Sequence, residues 1–129
     1  MIVDTSAVLA VLFNESDAPR YARALAEADM CRISAVNFVE AAVVVDSQGN
    51  AGTSRQFDLF VRRAEIVVEP VGEDQAHLAR QAYFEFGKGR HAAGLNFGDC
   101  FAYALAKATK EPLLFKGNDF SKTDITSAL

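Results

Sequence analysis

The sequence predicts an α/β fold in which a short parallel sheet is covered by helices on both faces. Three observations carry this. Short apolar runs rich in β-branched residues punctuate the chain, namely Ile2-Val3, EIVVEPV at 65–71 and PLLFK at 112–116. Strands buried on both faces read as continuous apolar runs, because neither face meets solvent. Longer segments with apolar residues at helical spacing lie between them, and strands alternating with helices favour a parallel sheet. The third observation is size. A chain of 129 residues, half of them hydrophobic, suffices for one core, so a single domain over 1–129 is expected.

The elements follow in order. Ile2-Val3 is the first strand and Ser6–Phe13 the first helix, capped by Thr5 or Ser6. Asp17–Ala28 carries alanine, leucine and charge at helical spacing, with Pro19 in the first turn, where a missing N–H is tolerated. Arg32–Ser34 is a short strand. Ala35–Asp46 is a helix ended by Gly49-Asn50, and Thr53–Ala64 is another. Glu65–Val71 is a buried strand closed by Pro70 and Gly72. Glu73–Phe86 is helical, and Gly87–Gly98 (GKGRHAAGLNFG) is a glycine-rich loop. Asp99–Thr109 is a helix, Pro112–Lys116 a strand, GND a turn, and the tail adds a short strand near Ile125.

Composition excludes several classes. The formal net charge is −4, the wrong sign for a protein that coats nucleic acid through an overall basic field. It leaves room for a nuclease with local basic patches. Cys31 and Cys100 lack the spacing of a metal site or a disulfide framework, which points to a reducing, cytoplasmic compartment. Met1 runs directly into apolar residues and an acid, so no signal peptide is expected. The longest apolar run, Ala7–Phe13, is too short to span a membrane.

Four acids stand in unusual places. Ligands of α/β sheets bind beyond the carboxyl ends of the strands. Asp4 follows the first strand and Asp119 follows the LLFK strand, so both are expected at one sheet edge. Glu40 lies in SAVNFVEAAVVVD, a helix apolar on nearly every side and therefore expected to be buried. A lone buried carboxylate is costly unless neutralised or paired, and no Lys or Arg lies at helical spacing from it. Asp99 occupies the first turn of the helix in NFGDCFAYALAKA. Each acid has a plainer reading alone. Asp4 reads as a cap and Asp99 as a helix-start acid aided by the dipole. Asp119 reads as a turn residue and Glu40 as an acid reaching for solvent or a cavity. Together they share one remedy. Carboxylates gathered at one edge repel, and a hard divalent cation, Mg²⁺ or Mn²⁺, removes the repulsion. Such an ion activates water and stabilises charge in phosphoryl displacement.

IVDTSAV, the acid within SAVNFVEAAVV, NFGDCFAYALAK and LLFKGNDFSKTDI together resemble the PIN-domain ribonucleases and, within them, the VapC toxins of bacterial toxin–antitoxin modules. The resemblance covers essentially the whole chain. It implies a PIN-like three-layer α/β/α sandwich with a short central parallel sheet. It implies a Mg²⁺- or Mn²⁺-dependent endoribonuclease, usually a homodimer, that cuts structured RNA such as tRNA or an rRNA loop. It also implies inhibition by a small VapB-type antitoxin. By motif, Asp4, Glu40, Asp99 and Asp119 are the catalytic and metal-binding acids. Many relatives read GDDF at the last turn, whereas Asn118 stands here in place of the first acid. Asn118 is placed to offer a neutral oxygen, and Thr5 or Ser6 to reach the site through water.

Phosphate contacts need basic groups beside the acids. The candidates are Lys116, directly after the last strand, and Lys88 and Arg90 in the glycine loop, with His91, Lys122, Arg55, Arg62 and Arg63 behind them. Scattered basic residues more commonly form a solvated surface. GKGR lacks phosphate-loop spacing and does not follow a strand. Phe38, Phe57, Phe60 and Phe101 read as core. Val11, Leu12, Phe13 and Leu25 read as core or as a dimer face.

Rival readings fit less well. A haloacid-dehalogenase-type phosphatase wants a second acid two residues after Asp4, where Ser6 stands. A receiver domain wants an acidic pair before the first loop and an Asp after the middle strand, where Glu69 stands. The remaining alternative is a degenerate module that keeps the fold and binds antitoxin or RNA without cutting, and Asn118 is the feature in its favour.

Overall fold

The two-residue strand β1 (Ile2–Val3) is the hub of the molecule. A computed structural model describes residues 1–129. After β1 come α1 (Thr5–Leu12), α2 (Ala18–Glu27), β2 (Cys31–Ser34), α3 (Ala35–Asp46), α4 (Ala51–Arg63), β3 (Ile66–Glu69), α5 (Glu73–Phe86), α6 (Phe97–Thr109) and β4 (Leu113–Leu114), then a 3₁₀ turn at Phe120–Lys122. The sheet order is β3-β2-β1-β4 and every pairing is parallel.

Side chains alternate across a strand, so β1 feeds two cores. Ile2 and its partner Leu113 enter one core with Leu95, Cys100, Tyr103 and Leu105, under α5 and α6. Val3 and its partner Leu114 enter the other with Cys31, Ile33 and Ile66, under α1 to α4. This is the expected three-layer α/β/α sandwich. Ile2, Val3, Leu113 and Leu114 are fully buried, each stabilising the fold by about 1.5–3 kcal/mol relative to exposure. Cys31 and Cys100 are free thiols on opposite faces of the sheet. No helix is long and apolar enough to cross a membrane.

Boundaries differ from the sequence expectation where distant side chains decide them. α1 starts at Thr5, and its cap is Asp4 rather than Thr5 or Ser6. Thr5 is buried and its hydroxyl donates to the Asn37 carbonyl instead. Asp17 precedes α2 but does not cap it, because its carboxylate turns to Lys116. α4 starts at Ala51, capped by Asn50. β3 begins at Ile66 because Glu65 takes a left-handed φ of 51° in the preceding turn. β4 is limited to Leu113–Leu114, the two residues that β1 can pair. The tail contributes one parallel bridge, Leu113 to Ser127, rather than a strand near Ile125. The glycine loop ends early, because Asn96 caps α6 and the helix begins at Phe97.

The largest departure concerns α3. Its apolar composition on all sides led to the expectation of a buried helix and a buried Glu40. Asn37, Ala41 and Val45 face inward at a spacing of four, which leaves Val39 and Val43 exposed and Glu40 half-buried. Hydrophobic composition fixes how much surface a helix offers, but the layer above it decides how much is covered.

Candidate active site

Asp4 leaves β1 at the carboxyl edge of the sheet, its N–H bonded to the Leu114 carbonyl at 2.9 Å. It is 3% exposed. One carboxylate oxygen caps α1: Oδ2 accepts from the Ser6 N–H at 3.0 Å and from the Ser6 hydroxyl at 2.5 Å. The Ser6 hydroxyl in turn accepts from the Lys116 N–H at 2.9 Å. The other oxygen, Oδ1, is buried and has no hydrogen-bond partner.

Asp99 repeats this pattern on α6. It stands at the third helical position of a capping box, its Oδ2 accepting from the Asn96 N–H at 3.0 Å while its own N–H donates to Asn96 Oδ1 at 2.9 Å. Both aspartates therefore cap a helix with one oxygen and leave the other free. The plainer readings of these acids as helix-start residues are correct, and they do not compete with a site. Capping fixes the direction of the free oxygen.

Glu40 arrives from α3 and lies against Gly98, the residue before Asp99. A methyl group at Gly98 would overlap the Glu40 carboxylate. That close approach explains the glycine in the first turn of α6. Asp119 belongs to the exposed turn after β4. It still adds to the repulsion felt by Asp99, as do Asp4 and Glu40, so the fold brings all four acids into one electrostatic neighbourhood. None of the four takes part in an ion pair.

Sequence reasoning missed Asn37. It is completely buried. Its Nδ2 donates to the Gly98 carbonyl at 3.0 Å and to Thr5 Oγ1 at 3.4 Å, and the Thr5 hydroxyl donates to the Asn37 carbonyl at 3.1 Å. Asn37 thus ties together α1, α3 and α6, the helices that carry Asp4, Glu40 and Asp99. The signal was present: a lone amide in an apolar helix, one turn before an acid. Ser6 was anticipated at the site and supports Asp4 directly. Thr5 belongs to the Asn37 contact. Asn118 is exposed and its carbonyl accepts from the Ser121 hydroxyl at 2.6 Å.

The candidate phosphate contacts divide. The Lys116 ammonium is held by Glu15 and by Asp17, the latter at 2.8 Å, so its charge is directed away from the acids. Lys88 is exposed. The Arg90 guanidinium rests over the Tyr83 and Phe84 rings. Arg62 and Arg63 sit in the last turn of α4, where cations complement the helix dipole. Val11, Leu12 and Leu25 line an apolar groove of about 580 Å³ with Leu59 and Phe60 of α4, apart from the acids.

Burial pushes the Asp4 carboxyl up to about 6, with the Ser6 bonds opposing and Glu40 reinforcing the rise. Burial raises Asp99 to about 7, opposed by the Asn96 bond and reinforced by Asp4, Asp119 and Glu40. No three acids, histidines or cysteines form a ready-made metal cage. A Mg²⁺ ion does not need one, since it binds through one or two carboxylates and keeps several waters. An orphaned, buried carboxylate oxygen among anionic oxygen donors, with no basic partner, fits a hard divalent cation.

A PIN domain model matches residues 1–125. Ribonuclease VapC28 of Mycobacterium tuberculosis is 56% identical over 130 aligned positions, covering 100% of this chain and 98% of the relative. Ribonuclease VapC of Mycolicibacterium smegmatis is 45% identical, covering 98% of each chain. Among solved structures, the sarcin–ricin-loop cleaving toxin VapC20 of M. tuberculosis superposes with a TM-score of 0.76 at 16% identity, covering 97% of this chain and 95% of that one. A toxin–antitoxin complex from Klebsiella pneumoniae gives 0.75 at 14% identity, covering 99% and 97%. At these identities the two structures attest the fold. The full-length likeness to the mycobacterial sequences goes further, and it agrees with a sheet edge where Asp99 feels the charges of Asp4, Glu40 and Asp119 and none of the four has a basic partner: the chain belongs to the PIN-domain VapC ribonuclease family.

Proposed function

We propose that this chain is a divalent-cation-dependent endoribonuclease, the toxin of a toxin–antitoxin pair, with Asp4, Glu40, Asp99 and Asp119 as its acidic centre. The observation that carries the reading is the Asp4 carboxylate, buried, lifted to about 6 and left with one oxygen unpartnered. A fold that only needed a cap would not gather Glu40 and Asp99 around it. The names of the mycobacterial relatives support ribonuclease chemistry. Of the two fold neighbours, one is a sarcin–ricin-loop cleaving toxin and the other a toxin–antitoxin complex, which suggests structured RNA as substrate and a protein antitoxin as partner.

The residues would act as follows. Ser6 holds Asp4 Oδ2, so Oδ1 keeps one direction. Asn96 does the same for Asp99. Asn37 sets the separation of the three helices, and Gly98 leaves room for Glu40. Asp4, Asp99 and Glu40 would hold Mg²⁺ or Mn²⁺, with Asp119 approaching from the solvent side. Bound there, the cation supplies an activated water and positive charge for the phosphoryl oxygens. Positioning and electrostatics then suffice, and no side-chain nucleophile is needed. Both cysteine thiols are raised by burial, which suits structural rather than nucleophilic residues.

The test is incubation of antitoxin-free protein with total cellular RNA in Mg²⁺, in Mn²⁺ and in chelator, beside Asp4→Asn. Discrete cuts bearing 5′-phosphate and 3′-hydroxyl ends, lost in chelator and in the variant, are expected. Absence of cuts by folded protein would replace this reading with a non-cleaving binding module.

A further inference from the structure

The glycine-rich loop between α5 and α6 carries only positive charge. From Gly87 to Gly98 it holds Lys88, Arg90 and His91 and no acid, in a chain of net charge −4. Its Ala93 and Leu95 are buried in the same core as Phe120 of the 3₁₀ turn, which seats the loop beside that turn. The Lys122 ammonium, from the end of the turn, donates to the Ala92 carbonyl at 3.4 Å. Both elements adjoin the acids. The peptide joining Leu95 to Asn96 accepts from the Lys88 N–H at 2.9 Å through its carbonyl, and donates to Asp99 Oδ2 at 3.0 Å through its N–H. The Lys88 backbone is therefore one peptide plane and two hydrogen bonds from the Asp99 carboxylate. Asp119 immediately precedes the turn that ends at Lys122 and has a helical backbone itself, and residues three apart in a 3₁₀ turn share a face. Lys88 and Lys122 are exposed and form no ion pair.

We propose that Lys88 and Lys122 bind RNA phosphates that flank the scissile one, an inference that rests on the ribonuclease reading. Four carboxylates repel a polyanion, and a cation held among them serves the reacting phosphate alone. The neighbouring phosphates need cations from the protein. Exposed lysines commonly belong to the solvated surface. These two differ in that the backbone under each is fixed by the bonds and buried side chains described above. Each also lies next to an acid of the centre, with no carboxylate bound to its ammonium. Lys116 fails the second criterion, because Glu15 and Asp17 hold it. Lys107 fails it as well, because Asp124 holds it.

The test is fluorescence anisotropy of the whole chain with a labelled oligouridylate RNA, in chelator so that nothing is cut, at several salt concentrations. Lys88→Gln and Lys122→Gln each make the slope of log Kobs against log salt shallower by about 0.7, the mark of one lost single-strand phosphate contact, and weaken binding at 0.1 M salt by roughly five-fold. Each also raises KM for cleavage of cellular RNA in Mg²⁺ while kcat and Tm hold. Lys110→Gln is the control. That lysine is exposed and unpaired at the opposite end of α6, about 16 Å from Asp99 along the helix, and its loss leaves slope and KM unchanged. Unchanged slopes in Lys88→Gln and Lys122→Gln, or an equal loss in Lys110→Gln, overturn the phosphate contacts. Unchanged slopes with weaker binding of a polyglutamate peptide assign the two lysines to an acidic protein segment instead. A wild type that cuts RNA while both variants keep its slope and KM retains the ribonuclease and removes the contacts. A wild type that never cuts, with slopes that fall as expected in the variants, retains the lysines as RNA contacts and ends the ribonuclease. A wild type that neither binds nor cuts ends both readings.

Discussion

Two groups of carboxylates stand at the carboxyl edge of the sheet, joined through Ser6, and the fold treats them oppositely. Glu15 and Asp17, in the turn between α1 and α2, share the Lys116 ammonium. That bond holds Asp17 below the usual carboxylate range, and the two acids hold Lys116 above its own. Asp4, Glu40 and Asp99 have no basic partner, and Asp4 and Asp99 rise to about 6 and 7, chiefly through burial. A lysine was within reach. The Lys116 backbone N–H bonds the same Ser6 hydroxyl that holds Asp4, yet its side chain goes to the outer pair. The unpaired charge of the inner group is therefore a property of the arrangement and does not reflect a shortage of cations in the chain. Such a group suits the external cation proposed above, whereas the outer group is already neutralised by Lys116.

The largest effect expected from this contrast is on cleavage. Asp99→Asn or Asp4→Asn lowers RNA cleavage by at least about a hundred-fold, since even residues behind a metal ligand commonly cost ten- to a hundred-fold. Each variant keeps its cap through the amide oxygen and loses a repulsive charge, so in chelator at pH 8 it melts no lower than wild type. A variant that loses activity by unfolding would remove the assignment.

Next in size is the dependence of stability on pH. Both folded-state values lie above the ordinary 3.8, so between about pH 4 and pH 7 the native protein binds more protons than the unfolded chain. Stability in chelator then falls as pH rises through that window and levels off above it, the rise of the buried Asp4 alone corresponding to on the order of 3 kcal/mol. Denaturant titrations at several pH values measure this. Mg²⁺ or Mn²⁺ at pH 8 recovers part of the loss by binding only the native state, and Asp99→Asn abolishes the recovery. Stability that instead climbs across the window would show that the inner acids are already compensated.

Asn37→Ala comes third. Loss of its bonds to Gly98 and Thr5 costs about 1–3 kcal/mol of stability. Cleavage falls roughly ten- to a hundred-fold, as for other supports of metal ligands. Steady-state kinetics at a temperature where the variant is fully folded separate the two effects. Gly98→Ala is smaller in stability, because only the flexible end of Glu40 must move, and kcat falls while Tm holds. The smallest effect is Lys116→Ala, which frees the outer acids to solvent and leaves cleavage nearly unchanged. A marked rise in KM for RNA would restore Lys116 as a phosphate contact.

Much of the site was legible in sequence because the chain order carries it. A strand of two β-branched residues followed at once by Asp4 places a carboxylate at a strand end. NFGD places Asp99 in a first helical turn by local capping chemistry alone. Glu40 was legible as an acid without a helical partner, but its burial was overestimated, since composition cannot say which face of α3 lacks a covering layer. Lys116 illustrates the opposite error. Its place after β4 is local, but its partners come from a turn about a hundred residues away in the chain.

The sequence by itself determined the α/β class, the identity of the acids and the strand ends and helix starts that carry them, because periodicity and capping act within a few residues. The tertiary structure decided which oxygen of Asp4 is free, which acids Lys116 neutralises, why Gly98 is a glycine, and that Asn37 joins three helices. Those outcomes rest on hydrogen bonds between residues separated by 32, 61 and 110 positions. Contacts of that kind form only when packing against the sheet brings distant segments within 3.5 Å of one another, and no local pattern encodes which distant partner arrives.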